Sequence, residues 1–167
     1  MLVLGDIGQV RKIRECPHHG DGLLARELLE HAVEFGAGDR VAYLAGNELQ
    51  YIELQSACLR SGFTLVPLNS RLTDPELEYI INDCRPALLV GGRNHAEAVR
   101  RVGLRCGVRW IVSTAENDVV DSYSQLLESA LPEPEADPTA GDLNALILYT
   151  SGTTGRPKGA TIDRMAF

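Results

Sequence analysis

The chain has 167 residues, 44% of them hydrophobic and 23% charged, enough apolar material for one ordinary core and too little for several. A formal charge of -7 at pH 7 excludes a dominant electrostatic attraction to nucleic acid or anionic membrane, so any bound phosphate needs a local site. No run approaches the roughly 18 to 20 apolar residues of a membrane helix, and "MLVLGDIGQV" is too short in apolar residues for a secretory signal, so a cytoplasmic location and no transmembrane segment are expected.

Residues 1–22 carry no assignable pattern. "CPHH" at residues 16–19 has no second ligand pair downstream, so an exposed loop is a better reading than a metal site. Cys16, Cys58, Cys84 and Cys106 form no C-x-x-C pair, which fits reduced thiols rather than a disulfide or zinc framework. "LLARELLEHAVEF" predicts a helix with Leu24, Leu28, Ala32 and Phe35 on one side, ended by Gly36.

From Asp39 the pattern alternates between short apolar runs and helix-period segments, the signature of β-α-β units in a parallel sheet, so the fold class is α/β. "VAYLA" reads as a buried strand. Asn47 with Gln50 predicts the start of a helix whose inner face carries Leu49, Ile52, Ser56, Leu59 and Phe63, stopped by Gly62. "TLVPLN" is a strand. Thr73 and Glu76 then form a capping box before Leu77, Ile80, Ile81 and Cys84 at i, i+3, i+4 and i+7. Arg85-Pro86 ends that helix. "ALLVGG" is the next strand, Asn94 with Glu97 caps "HAEAVRRVG", "VRWIVS" is a further strand, and Ser122 with Gln125 caps "YSQLLESAL". Residues 23–131 are thus one alternating portion. Residues 132–142, "PEPEADPTAGD", hold three prolines and four acidic residues and predict a solvated surface connection.

Residues 143–167 begin with the strand "LNALILYT" and run into "SGTTGRPKG". Glycines at 152, 155 and 159 let a backbone turn and approach a ligand closely. Successive backbone N–H groups with the hydroxyls of Thr150, Ser151, Thr153 and Thr154 offer an anion cradle, and Lys158 offers a charge. Composition alone favours an ordinary exposed turn over that cradle. A G-x-x-x-x-G-K-[ST] loop is excluded by spacing, since Lys158 is followed by Gly159 and Pro157 discourages the required helix. The G-x-G-x-x-G fingerprint is absent at this loop as well.

The order of residues carries more than their composition. "YTSGTTGRPKGA" resembles the phosphate-binding loop of the adenylate-forming (AMP-binding) enzymes, the family of acyl-CoA synthetases, luciferases and non-ribosomal peptide adenylation domains, with Arg156 at its variable position. The stretch from about residue 38 through "VPLNSR" and the following strand-helix-strand also resembles that family, most closely the N-terminal part of an acyl-CoA synthetase acting on a fatty acid or other carboxylate. The resemblance implies an incomplete, N-terminal portion of the family's parallel-sheet fold. It also implies a two-step reaction: a carboxylate attacks the α-phosphate of ATP, giving acyl-adenylate and pyrophosphate, and the thiol of CoA then takes the acyl group. Carried residue by residue, Thr150, Ser151, Gly152, Thr153, Thr154, Gly155, Lys158 and Gly159 are implied to hold the β- and γ-phosphates.

Three departures qualify the likeness, the first being that the N-terminus lacks the family's usual extended segment reading like R-x-T-Y-x-E-L. Asp163-Arg164 stands where the family commonly has Ser/Thr-His, so Asp163 is left as a helix cap and the histidine's role has no occupant. The segments that in the family hold adenine and ribose, bind magnesium through a glutamate and present the adenylating lysine have no counterpart in these 167 residues. No catalytic residue and no metal ligand is therefore expected here, and the isolated chain is expected to be inactive, with a complementing C-terminal polypeptide as a partner. The alternatives are a stand-alone ATP- or phosphate-binding module and a non-catalytic remnant.

Overall fold

A computed structural model describes residues 38–115, 121–124, 144–151 and 156–166. The readings made above for residues 1–37, 125–143 and 152–155 lie outside this set.

Among the described residues seven strands form one sheet: β1 (Arg40–Ala45), β2 (Thr64–Asn69), β3 (Leu88–Gly91), β4 (Trp110–Ser113), β5 (Asp121–Ser122), β6 (Asn144–Ser151) and β7 (Pro157–Asp163). Their order across the sheet is β5-β4-β3-β1-β2-β6-β7. Every neighbouring pair is parallel except β6 and β7, which are antiparallel. Three helices connect the central strands: α1 (Leu49–Ser61), α2 (Asp74–Cys84) and α3 (Ala96–Cys106).

The apolar runs became strands because both of their faces are covered. In β1, Val41, Ala42, Tyr43 and Leu44 are all buried, as expected of a central parallel strand. Alternate residues serve opposite layers. Val41 and Tyr43 pack with Leu54, Ala57 and Cys58 of α1, whereas Ala42 and Leu44 pack with Leu77, Ile80 and Ile81 of α2 and Val99 and Val102 of α3. Helices thus lie on both faces. At the crowded α3 contact Gly103 leaves room for Ile111, whose Cδ1 would stand 2.7 Å from an added Cβ.

The capping box of α2 forms, the Glu76 carboxylate accepting from the Thr73 N–H at 2.8 Å and its hydroxyl at 2.7 Å. Leu77, Ile80, Ile81 and Cys84 are buried, and Arg85 ends the helix in the left-handed region, φ 45°. Two helix starts differ from expectation. The N-cap of α1 is Glu48, not Asn47, and that of α3 is His95, not Asn94; neither makes a side-chain capping bond. The face expected to be inner on α1 is met in part: Phe63 is buried and Leu59 packs against the core, but Leu49 and Ile52 are 70% and 55% exposed, and Leu54, Ala57 and Cys58 are buried as well. Small side chains at 57 and 58 let this helix settle on the sheet along a stripe that hydrophobicity alone does not mark. Ser122 is a strand residue paired with Ser113; residues 123 and 124 are helical.

Candidate functional site

The polar loop springs from the β6–β7 hairpin at one margin of the sheet. Thr64, buried in β2, fixes the start of β6 by donating its hydroxyl to the Asn144 carbonyl at 2.8 Å. Leu65 pairs with Leu146 beside it. Toward the loop the antiparallel register runs Leu148 to Ala160, Tyr149 to Gly159, Thr150 to Lys158 and Ser151 to Pro157. Opposed residues share a face, and faces alternate.

The hairpin therefore has two distinct sides at the loop mouth. Tyr149 and Ile147 turn toward the layer containing α2, and the Tyr149 hydroxyl donates to the Asp83 carboxylate on that helix. Burial first, and the bond to Asp83 second, hold this hydroxyl protonated above its ordinary range. Gly159 belongs to the same side: a Cβ there would lie 2.9 Å from Ile147 Cγ2 and 3.2 Å from Tyr149 Cζ. Its lack of a side chain makes room for the tyrosine ring, and its backbone is extended strand rather than the turn expected from sequence. Thr150 and Lys158 fall on the opposite side, both exposed. The structure thus brings a hydroxyl and an ammonium together on the open side of the mouth. Ser151 contributes strand backbone beside them, and Gly152, Thr153, Thr154 and Gly155 lie outside the described residues.

Arg164, the departure noted above, donates from its guanidinium to the Cys58 carbonyl at 3.2 Å. That carbonyl lies in the last turn of α1, where a cation meets the negative end of the helix dipole. Asp163 closes β7 and a 3₁₀ turn, Arg164–Ala166, follows.

A second place where an α/β sheet commonly binds ligands is the crevice between strand ends where the chain reverses direction across the sheet, here between β1 and β3. Glu48 fills it. Its carboxylate accepts the Arg93 N–H at 3.2 and 3.4 Å and the Thr114 hydroxyl at 3.1 Å. Gly92 gives it room, since a Cβ there would stand 2.6 Å from Glu48 Oε1. Sequence reasoning missed Glu48 because its partners are 45 and 66 residues away.

Among the described residues no group of three or more His, Cys, Asp and Glu is placed to hold a metal ion, and no helix is long and apolar enough to cross a membrane. Cys58, Cys84 and Cys106 are free thiols. Burial pushes Cys58 up to about 12 and Cys84 up to about 11.

The sequence profile described as "AMP-binding enzyme" matches residues 23–165. The chain belongs to this family. It is 36% identical over 168 aligned residues to a feruloyl-CoA synthase of an Amycolatopsis species, covering 92% of this chain and 32% of that protein. Among solved structures, the didomain of a carboxylic acid reductase from Segniliparus rugosus in complex with AMP superposes with a TM-score of 0.72 at 24% identity, over 85% of this chain and 24% of that one. ATP-bound MatB from Rhodopseudomonas palustris superposes with a TM-score of 0.67 at 29% identity, over 84% and 28%. The fold is accordingly that of the N-terminal domain of adenylate-forming enzymes, and the chain spans about a third of the length of the synthase.

Proposed function

We propose that this chain carries the triphosphate-binding loop of an AMP-forming carboxylate–CoA ligase. In the whole protein the carboxylate oxygen attacks the α-phosphorus of ATP, expelling pyrophosphate, and the CoA thiolate then attacks the acyl carbon, expelling AMP. The supporting observation is the placement of Thr150 opposite Lys158 on the open side of the hairpin mouth. A hydroxyl donor and a cation at the two ends of a glycine- and threonine-rich loop suit the anionic β- and γ-phosphates. ATP appears in the name of one solved relative, AMP in another.

In this reading Lys158 neutralises phosphate charge while Thr150, Ser151, Thr153, Thr154 and the N–H groups of Gly152, Gly155 and Gly159 donate to phosphate oxygens. Such preorganised donors lower the repulsion between two anionic reactants and hold them in line. The described residues offer no cluster that fits magnesium, so none is assigned to it. Chemistry is assigned to the two-thirds or more of the relatives' length that this chain does not span, with a second polypeptide as one way of supplying it. The cytoplasm, where free thiols persist, is the proposed compartment.

Calorimetric titration of the 167-residue chain with ATP tests the binding step. Lys158→Ala and Thr154→Ala should each weaken it about tenfold, as loss of a charge-assisted hydrogen bond predicts. Absence of binding, or binding indifferent to both changes, refutes the reading. Carboxylate-dependent exchange of pyrophosphate into ATP should be absent in this chain alone.

A further inference from the structure

Both ends of the loop rest on one helix. On the β6 side, Tyr149 donates its hydroxyl to Asp83 of α2. On the β7 side, the guanidinium of Arg156 lies 6.0 Å from the ring centroid of Tyr79, also on α2. Tyr79 and Asp83 are four residues apart in that helix, so they stand one turn apart on the same stripe. The helix is itself fixed: Asp74 receives a two-pronged bond from Arg101 of α3 at 2.6 and 2.8 Å, and Glu78 receives Arg105 at 2.7 Å.

We propose that Tyr79 and Asp83 are positioning residues that clamp the two feet of the loop, Arg156 and Tyr149, and that Arg156 acts through Tyr79 rather than as a phosphate ligand. The proposal rests on the reading of the loop as a triphosphate site. Its physical basis is preorganisation. With Tyr149 and Arg156 held, less entropy is lost when Thr150 and Lys158 beside them meet an anion. The clamp also divides two neighbouring cations between two tasks. Arg156 is engaged with an aromatic face, whereas Lys158 lies on the open side with Thr150. The ammonium is thus the cation left for the ligand.

The test uses the 167-residue chain without nucleotide, following hydrogen exchange of the β6 and β7 amides nearest the loop, then ATP titration and thermal unfolding of each variant. Tyr79→Ala and Arg156→Ala should each speed exchange about two- to five-fold, the range of an exposed cation–π contact. The double variant should be no faster than either single one, and Tyr79→Phe, which keeps the ring, should restore the original rate. Asp83→Ala should speed exchange on the β6 side independently. ATP affinity should fall by the same factor in Tyr79→Ala, Arg156→Ala and their combination, with the unfolding midpoint lowered by no more than about 2–4 °C, the shift expected for loss of one such contact. Unchanged exchange, effects that multiply in the double variant, or faster exchange shared by the amides of the whole sheet would overturn the clamp. If wild-type chain binds no ATP while the exchange pattern holds, the triphosphate reading fails and the clamp stands.

Discussion

Replacing Glu48 by alanine removes the carboxylate that ties the loop after β1 to the loops after β3 and β4. The Thr114 hydroxyl, partly buried, loses an acceptor at 3.1 Å, and the Arg93 N–H loses a forked contact at 3.2 and 3.4 Å. Bonds to a charged acceptor contribute up to about 3 kcal/mol when short, but these are long and Arg93 is open to water, so about 2 kcal/mol is expected for the pair. With a urea m-value of about 2 kcal/mol/M, the unfolding midpoint falls by about 1 M. Glu48→Gln keeps one acceptor oxygen and should show about half that loss. Gly92→Ala should be worse than either, because its Cβ would stand 2.3 Å from Ala45 Cβ as well as 2.6 Å from Glu48 Oε1. Part of the Gly92→Ala effect should vanish in a Glu48→Ala background, where the carboxylate is no longer in the way. A Glu48→Ala midpoint indistinguishable from wild type, or strict additivity with Gly92→Ala, would refute the latch.

Gly159→Ala should destabilise the hairpin by about 1–3 kcal/mol, since β-branched Ile147 and the Tyr149 ring must both yield; hydrogen exchange confined to β6 and β7 would register it, and unchanged exchange would count against the packing account. On the acid side, the Arg101 hydrogen bond holds Asp74 below its ordinary 3.8, and the Thr73 backbone bond holds Glu76 below its ordinary 4.5. Their contribution is complete above those ordinary values and is lost as pH falls through the lowered ones; Asp74→Asn should flatten the low-pH decline in urea midpoint. On the alkaline side, burial raises Cys84 to about 11 and Cys58 to about 12 from an ordinary 9.0. Stability from these thiols is complete below pH 9 and disappears as pH rises through 11 and 12, because the unfolded chain releases their protons first. A urea midpoint that held steady or rose between pH 8 and 10.5 would contradict this.

The strands were legible because parallel strands buried on two faces announce themselves as unbroken apolar runs, as β1 and β3 do. The second helix was legible down to its buried residues, because Thr73 and Glu76 mark its start and a clean i, i+3, i+4, i+7 stripe marks its inner face. The first helix was less so. Its first turn carries Leu49 and Ile52 outward, while Leu59 and Phe63 of the expected face pack inward with Leu54, Ala57 and Cys58, so a rule that ranks side chains by apolarity places the stripe only in part. At the loop, composition was ambiguous and residue order decisive. What order could not supply were contacts joining distant positions: Tyr149 with Asp83, 66 residues apart, Arg164 with Cys58, 106 apart, and Glu48 with Arg93 and Thr114. Each depends on which strand ends lie side by side, and no local period encodes that.

The antiparallel register explains how so short a hairpin serves anchoring and binding together. In a pleated pair the side chains alternate, so Tyr149 and Gly159 point to α2 only if Thr150 and Lys158 point away from it. A slip of one residue would send Lys158 toward the buried layer and Tyr149 toward solvent. The register is held at the far end by the Thr64 hydroxyl on Asn144 and by Leu146 against Ile162, and at the near end by the tyrosine ring over a residue without a side chain. The buried, hydrogen-bonded side of the hairpin thus sets the direction in which its exposed side presents a hydroxyl and an ammonium. Disturbing Gly159 or Asp83 should therefore change the presentation of Lys158 without touching it.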